Sequence, residues 1–303
     1  MSDFLAERIG PDTRMENAIF GTGDPYFIWR AVVTVCPEAI ECFAYSVGWS
    51  AVLFGLELRG GARAAVKFHL GKTAEYLAAQ QAVQEHVWRY GFPCPRPLGV
   101  RGPATLEEWR EDGVRRDAHE PEVRRALAHE LVRLTRLTRG LHPAVDLTPF
   151  LPRAGGPSWP DALLTIEVPW IEEIARAARK RRDSYGSATV IAHDDWAVRH
   201  FRFSDSKATV VYDWDSVCSG PEAVLVGEAS AGFTMEPWPT VDETIVFVAE
   251  YERARTSRFT PDEHQMAGAA AVYARAYAAR RVHAFGGDAT ALKLDEYAAQ
   301  LLQ

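Results

Sequence analysis

Two short acidic clusters stand at the ends of strand-like runs in the second half of this 303-residue chain. In Ile191-Ala192-His193-Asp194-Asp195-Trp196 an apolar run enters a polar turn, and in Val210-Val211-Tyr212-Asp213-Trp214-Asp215 another run ends in a carboxylate. Between them lie strand-like residues 201–203 and 209–212, joined by the turn Ser204-Asp205-Ser206-Lys207. A hairpin of that length folds back on itself and would bring both clusters to one end of the sheet. Carboxylates so placed suit phosphoryl transfer from a nucleotide. One must orient an acceptor hydroxyl and accept its proton, and another must hold Mg2+, which prefers hard oxygen ligands. Neither part requires a covalent intermediate.

The elements that must position these residues are readable in outline. Residues 1–40 hold one or two short helices. Residues 41–46, 51–58 and 62–69, rich in Val, Phe, Tyr and Leu, read as three antiparallel strands joined by turns at Val47-Gly48-Trp49-Ser50 and Gly60-Gly61. Residues 73–90 read as a helix stopped by Gly91, Pro93 and Pro95. The proline-rich run 92–98 is extended, and a further strand falls within 104–113. Val123, Leu127, Leu131, Leu134, Leu137 and Leu141 form the apolar stripe of a helix over 120–140. A loop-rich stretch with Gly155-Gly156 leads into a helix over 160–180, whose basic end, Arg179 to Arg182, reads as solvated. A short strand is expected at 189–192. After Gly220-Pro221 the chain is mainly helical, most clearly over 240–256 and 261–285. The order is a small strand-rich lobe followed by a larger helical one.

With these motifs the chain resembles the aminoglycoside phosphotransferase and choline kinase family, a branch of the protein-kinase-like fold. That family's signature is H-G-D-x-x-x-x-N followed by a strand pair and D-W or D-F. Here H-D-D-W-A-V-R-H runs from His193 to His200, and Y-D-W-D from Tyr212 to Asp215. Ala64-Ala65-Val66-Lys67 and the run from Gly91 to Gly99, similar to G-x-P-x-P-x-x-L-G, fit the same pattern in the same order.

The resemblance implies an α+β, protein-kinase-like bilobal fold. Residues 1–108 would be an antiparallel-sheet nucleotide-binding lobe with a helical extension over 1–40, and 109–303 a mainly helical catalytic and substrate-binding lobe. It implies Asp195 as the catalytic aspartate, Asp213 as a metal ligand and Lys67 as the contact to the nucleotide phosphates. Ser46, Gly48 and Ser50 match the phosphate-covering turn. His193 would brace the loop, and Asp215 would stand behind the site or on its acceptor side. Trp196, beside the catalytic turn, is a candidate substrate platform.

Two positions depart from the family pattern. His200 stands where an asparagine binds a second metal, and its imidazole suits Mn2+ or Zn2+ better than Mg2+. Gln80 stands where a glutamate pairs with the lysine, giving a hydrogen bond without charge assistance. The implied cofactors are ATP or GTP with Mg2+. The implied reaction moves a γ-phosphate to a hydroxyl of a small metabolite or antibiotic. Two rival readings are a nucleotide-binding protein with little turnover and a kinase acting on Ser or Thr in a peptide.

Composition bounds the partners. A net charge of −7 argues against nucleic acid. The resemblance implies an acceptor pocket against the C-terminal helices; from Asp215 onward 13 acidic residues stand against 7 basic ones, a balance that suits a cationic acceptor, with Glu228, Glu236, Asp242 and Asp262 as candidates, or a solvated acidic surface. Cys36, Cys42, Cys94 and Cys218 lack metal or disulfide spacing and read as reduced core thiols. Met1-Ser2-Asp3-Phe4 lacks the features of a signal peptide, and no apolar run approaches the ~20 residues of a membrane span. A cytoplasmic protein with no membrane partner is expected.

Overall fold

Where Val, Phe and Leu crowd the sequence between Ala39 and His69, the computed structural model has three antiparallel strands. These are β1 (Ala39–Val47), β2 (Ala51–Leu58) and β3 (Arg63–His69). The structure describes residues 7–9, 13–48, 50–148, 151, 167–184, 188–234 and 236–303. Strands β4 (Pro97–Arg101) and β5 (Ala104–Glu108) complete a five-stranded sheet of order β1-β2-β3-β5-β4. The sequence points to β5 but not to β4. Pro97 opens β4 at the sheet edge, where a residue without an N–H is tolerated.

Side chains alternate across a sheet. Val52, Phe54, Leu56, Val66, Phe68 and Leu106 pack on one face with Ile28 and Val32 of helix α2 (Pro25–Val35), which follows α1 (Arg14–Phe20). Lys67 therefore stands on the opposite face, between Leu53 and Thr105 of the neighbouring strands. Helix α3 (Ala74–Arg89) starts on Thr73, whose hydroxyl accepts from the Tyr76 amide. Gln81 Nε2 donates to the carbonyls of Gly99 and Leu106, and Gln84 Nε2 to the carbonyl of Pro95. These bonds tie the helix to β4, β5 and the proline run.

Two compact units result: Met1–Glu111 with Pro143–Val145, and Asp112–His142 with Asp146–Gln303. The second unit holds α4 (Pro121–Leu137), α5 (Pro169–Arg182), α6 (Glu222–Gly232), α7 (Val241–Arg255), α8 (Pro261–Ala284) and α9 (Leu294–Leu301). Helices α7 and α8 each begin with a capping box, Thr240 with Glu243 and Thr260 with Glu263. Helices α6 and α8 meet backbone to backbone. A Cβ on Gly227 would fall 2.1 Å from the Ala267 carbonyl oxygen.

Several expectations are adjusted. Strand β6 (Thr189–His193) pairs with β9 (Val217–Pro221), whereas β7 (Phe201–Ser204) pairs with β8 (Lys207–Val211). The acidic clusters thus belong to two small sheets rather than to one. The basic run is a solvated helix end only in part, with Lys180 exposed and Arg179 and Arg181 half-buried. Arg182 is buried, with its guanidinium against Asp183 and Glu228 and over the Tyr273 ring, because the apolar face of α5 continues to the helix end. Glu228 is buried as well, beside the Arg182 guanidinium, so it is not a surface acid. All four cysteines are buried thiols, and burial pushes Cys42 up to about 11. Gly155, Gly156 and the first residues of the helix expected over 160–180 lie outside the described residues. Among the described residues no helix is long and apolar enough to cross a membrane.

His119 joins two helix starts. Its Nδ1 lies 2.7 Å from Glu243 Oε1, and its Nε2 lies 3.0 Å from the Pro237 carbonyl oxygen. Both partners are acceptors, so the ring fits best with a proton on each nitrogen. Burial opposes that charge, but the Glu243 and Pro237 bonds outweigh it and raise the pKa of His119. A raised folded-state pKa gives stability that is complete below the unfolded value and lost as pH rises through the folded one. The melting-temperature gap between the native protein and His119→Gln is expected to be widest near pH ~6 and to shrink by pH ~9. A gap of equal size at both values would show that His119 acts through packing alone.

Candidate active site

Strand β6 delivers the chain to His193, and the turn that follows is organised by that imidazole. The Asp195 amide donates to His193 Nδ1 at 3.2 Å, and His193 Nε2 lies 3.2 Å from the Tyr212 carbonyl oxygen. A carbonyl can only accept, so the ring proton sits on Nε2, and Nδ1 is left to accept. His193 is therefore neutral. Complete burial, the largest influence on it, also lowers its pKa. The ring fastens one acidic cluster to the strand end that carries the other. The Asp194 amide adds a second tie, 2.9 Å to the Ser216 carbonyl.

A single 3-10 turn, Val198–His200, then folds back over Asp195. His200 Nε2 lies 3.0 Å from Asp195 Oδ2, and Arg199 contacts both Asp195 oxygens. The His200 carbonyl accepts from the Tyr212 amide at 2.8 Å, which locks the turn to the end of β8. Desolvation would push the Asp195 carboxyl up. The His200 hydrogen bond and charge, with the Arg199 guanidinium, overcome it and hold Asp195 well below the usual carboxylate range. The group remains 38% exposed, ionised and reachable.

Asp213 follows β8 in the left-handed region, at φ 68°, which short polar residues tolerate because their side chains bond locally. Ser216 Oγ donates to Asp213 Oδ2 at 2.7 Å, and Asp213 Oδ2 lies 3.9 Å from His200 Nε2. One ligand-type atom each from Asp195, His200 and Asp213 falls within 4.8 Å of the others. Two carboxylates and one imidazole make a donor set that fits a divalent cation able to take nitrogen as well as oxygen. Asp215 stands one residue beyond Trp214 on the short 3-10 turn Trp214–Ser216.

Trp196 is not a platform for substrate. It is 2% exposed, its indole N–H donates to the Leu127 carbonyl at 3.0 Å, and its ring packs edge-on against Phe201 and His193. Arg199 is the residue that sequence reading left without a role. Its position four residues after Asp195 carries no motif, and only the tight turn brings it to the carboxylate.

The remaining candidates belong to the first unit and are described within it. Lys67 is half-buried near the centre of the five-stranded sheet, and Gln80 is buried on α3. Ser46, Gly48 and Ser50 are exposed at the β1–β2 turn, where the Gly48 amide donates to the Ala51 carbonyl at 2.8 Å. An added Cβ at Gly48 would meet only the Ala51 carbonyl oxygen, at 3.4 Å, so the turn itself does not demand glycine.

The profile of the phosphotransferase enzyme family matches residues 44–285. No curated protein matches in sequence. Among solved structures, the amicoumacin kinase hAmiN, in complex with AMP-PNP, Ca2+ and its ligand, aligns at a TM-score of 0.66 and 9% identity, over 92% of this chain and 93% of its own. The macrolide 2'-phosphotransferase MphH of Brachybacterium faecium aligns at 0.56 and 11%, over 91% and 98%. The choline kinase LicA of Streptococcus pneumoniae aligns at 0.58 and 13%, over 91% and 97%. At such identities the likeness is one of fold, and it bears out the α+β, protein-kinase-like expectation.

Proposed function

We propose, since this chain belongs to the phosphotransferase enzyme family, that it transfers the γ-phosphate of ATP or GTP to a hydroxyl of a small molecule. The reading rests chiefly on one observation: Asp195 is held ionised and partly open by Arg199 and His200, within 4.8 Å of a second carboxylate. In this mechanism Asp195 accepts a hydrogen bond from the acceptor hydroxyl and aligns its oxygen for in-line attack. A carboxylate with so low a proton affinity takes the proton late, when the oxygen has already become acidic. Orientation is then its main contribution. A divalent cation held by Asp213, joined by His200 once its Nε2 proton has left, would neutralise charge on the phosphate oxygens. Arg199 and His193 keep Asp195 in place, one by charge and the other through the main chain.

The structural neighbours named above include kinases of amicoumacin, of a macrolide and of choline, which supports a small hydroxylated acceptor over a peptide. The direct test is phosphate transfer from labelled ATP and GTP across a panel of such compounds, with Asp195→Ala as control. Transfer that persists in the control would remove Asp195 from the chemistry.

Lys67 is assigned to the α- and β-phosphates of the nucleotide. A charge-assisted bond contributes about 1.5–3 kcal/mol, so Lys67→Ala is expected to weaken binding of a non-hydrolysable ATP analogue by about 10- to 100-fold. Titration calorimetry reads this directly, and an unchanged Kd would exclude the assignment.

A further inference from the structure

Gln80 is neutral, so a negative charge that positions Lys67 has to come from an element other than its own stretch of α3. We infer that it comes from Glu107 of β5, whose carboxylate pairs with the Lys67 ammonium and holds it in place for the nucleotide. The inference rests on the assignment of Lys67 to the nucleotide phosphates and adds the residue that positions it.

Strand register brings the two side chains together. In the β3–β5 pair Lys67 is opposite Thr105 and Ala65 is opposite Glu107, so Lys67 and Glu107 are diagonal neighbours on adjacent strands. Both project from the face opposite the one that packs Val66, Phe68 and Leu106 into the core. His69 Nε2, 2.9 Å from Thr105 Oγ1, shows side chains of that face meeting across the same pair. Diagonal positions stand about 7–8 Å apart, within reach of side chains as long as lysine and glutamate. Ala65, next to both, presents only a methyl group. The other cross-strand neighbours of Lys67 are Ala51, Leu53 and Gly55 of β2 and Thr105 of β5, and none of these carries a charge.

Helix α3 supplies the support. It buries Gln80 and Gln84, one turn apart on the same face. Buried amides are costly unless hydrogen-bonded, so two of them on an inward face mark a polar cluster rather than apolar core. Gln84 Nε2 lies 3.1 Å from the Pro95 carbonyl oxygen, which can only accept, and 2.8 Å from Glu107 Oε2. The amide thus donates to both, and the second bond orients the Glu107 carboxylate. The acids of α3 itself are placed elsewhere. Glu75 is exposed in the first turn, and Glu85 pairs with Arg89.

The test is a double-mutant cycle on the full chain, read by calorimetric titration with AMP-PNP and Mg2+. Glu107→Gln keeps the shape of the side chain and an oxygen to accept from Gln84. It is expected to weaken binding by about tenfold, because the ligand must then order a lysine that is no longer held. In a Lys67→Ala background the same change is expected to alter affinity by less than about twofold, since the group it positions is gone. Adding Gln80→Glu to Glu107→Gln returns a carboxylate to the cluster from α3 and is expected to recover most of the loss. A fault in folding would not be mended in that way. Native affinity in Glu107→Gln beside weakened binding in Lys67→Ala would overturn the inference and leave the Lys67 assignment standing. So would an equal loss from Glu107→Gln with and without Lys67. Native affinity in both single variants would instead overturn the Lys67 assignment itself.

Discussion

Asp195→Asn is expected to lower kcat for phosphate transfer by about 10²- to 10⁴-fold while the nucleotide Kd stays within a few-fold of the native value. The amide keeps the size and shape of the carboxylate, and its oxygen can still accept from His200. It loses the negative charge that orients the acceptor hydroxyl and the basicity that removes its proton. It also leaves Arg199 facing a neutral partner. Rapid-quench measurement of transfer, paired with calorimetry on AMP-PNP, separates the two quantities. Equal losses in both would make Asp195 part of nucleotide binding rather than of the transfer step. Turnover that is already minimal in the native protein and unmoved by the substitution would favour a nucleotide-binding protein with little activity.

The second large effect is on stability. Trp196→Ala is expected to destabilise the protein by about 3–5 kcal/mol, the usual range for removing a buried aromatic from a packed site. The variant opens a cavity beside Phe201 and His193 and leaves the Leu127 carbonyl without its indole donor. Urea unfolding followed by fluorescence and circular dichroism would measure it. A native-like midpoint combined with a raised KM for the acceptor would return Trp196 to a substrate-contacting role.

How far the sequence could be read depends on how local each signal is. Helix α3 was legible from both ends, because Thr73 offers an N-cap and Gly91, at φ 75°, supplies a left-handed stop. The hairpin β7–β8 was legible from its turn residues, with Asp205 at φ 55°. Strand β9 was not, since Val217-Cys218-Ser219-Gly220-Pro221 has no alternating pattern and becomes a strand only by pairing with β6, far earlier in the chain. Helix α6 blurred into its surroundings for a related reason. It is buried on nearly every side, so it lacks the polar stripe that marks a surface helix.

The site divides in the same way. The spacing and strand-end positions of Asp195 and Asp213 marked them as a pair, and His200 stood at a motif position, so the structure's gathering of the three had a sequence counterpart. Trp196 was misjudged because adjacency to an acid in a tight turn says nothing about which way a side chain points. Arg182 was misjudged because a run of four basic residues hides the helical phase, which turns one of them inward. Arg199 needed the 3-10 geometry before it could be seen at all.

The contacts that shape Asp195 come from nearby in the chain: His193 two residues before it, and Arg199 and His200 four and five residues after it. Closing loops this short costs little chain entropy, and hairpins of the β7–β8 kind form on the order of microseconds. The charged cluster can therefore take shape from its own segment, ahead of the long-range docking of helices around it. Its connection to the rest of the unit is different in kind, since Trp196 reaches back to Leu127 across 69 residues. Under mild denaturation the carboxylate geometry should outlast that connection. Early loss of activity would then reflect a cluster that remains ordered but has come adrift from its foundation.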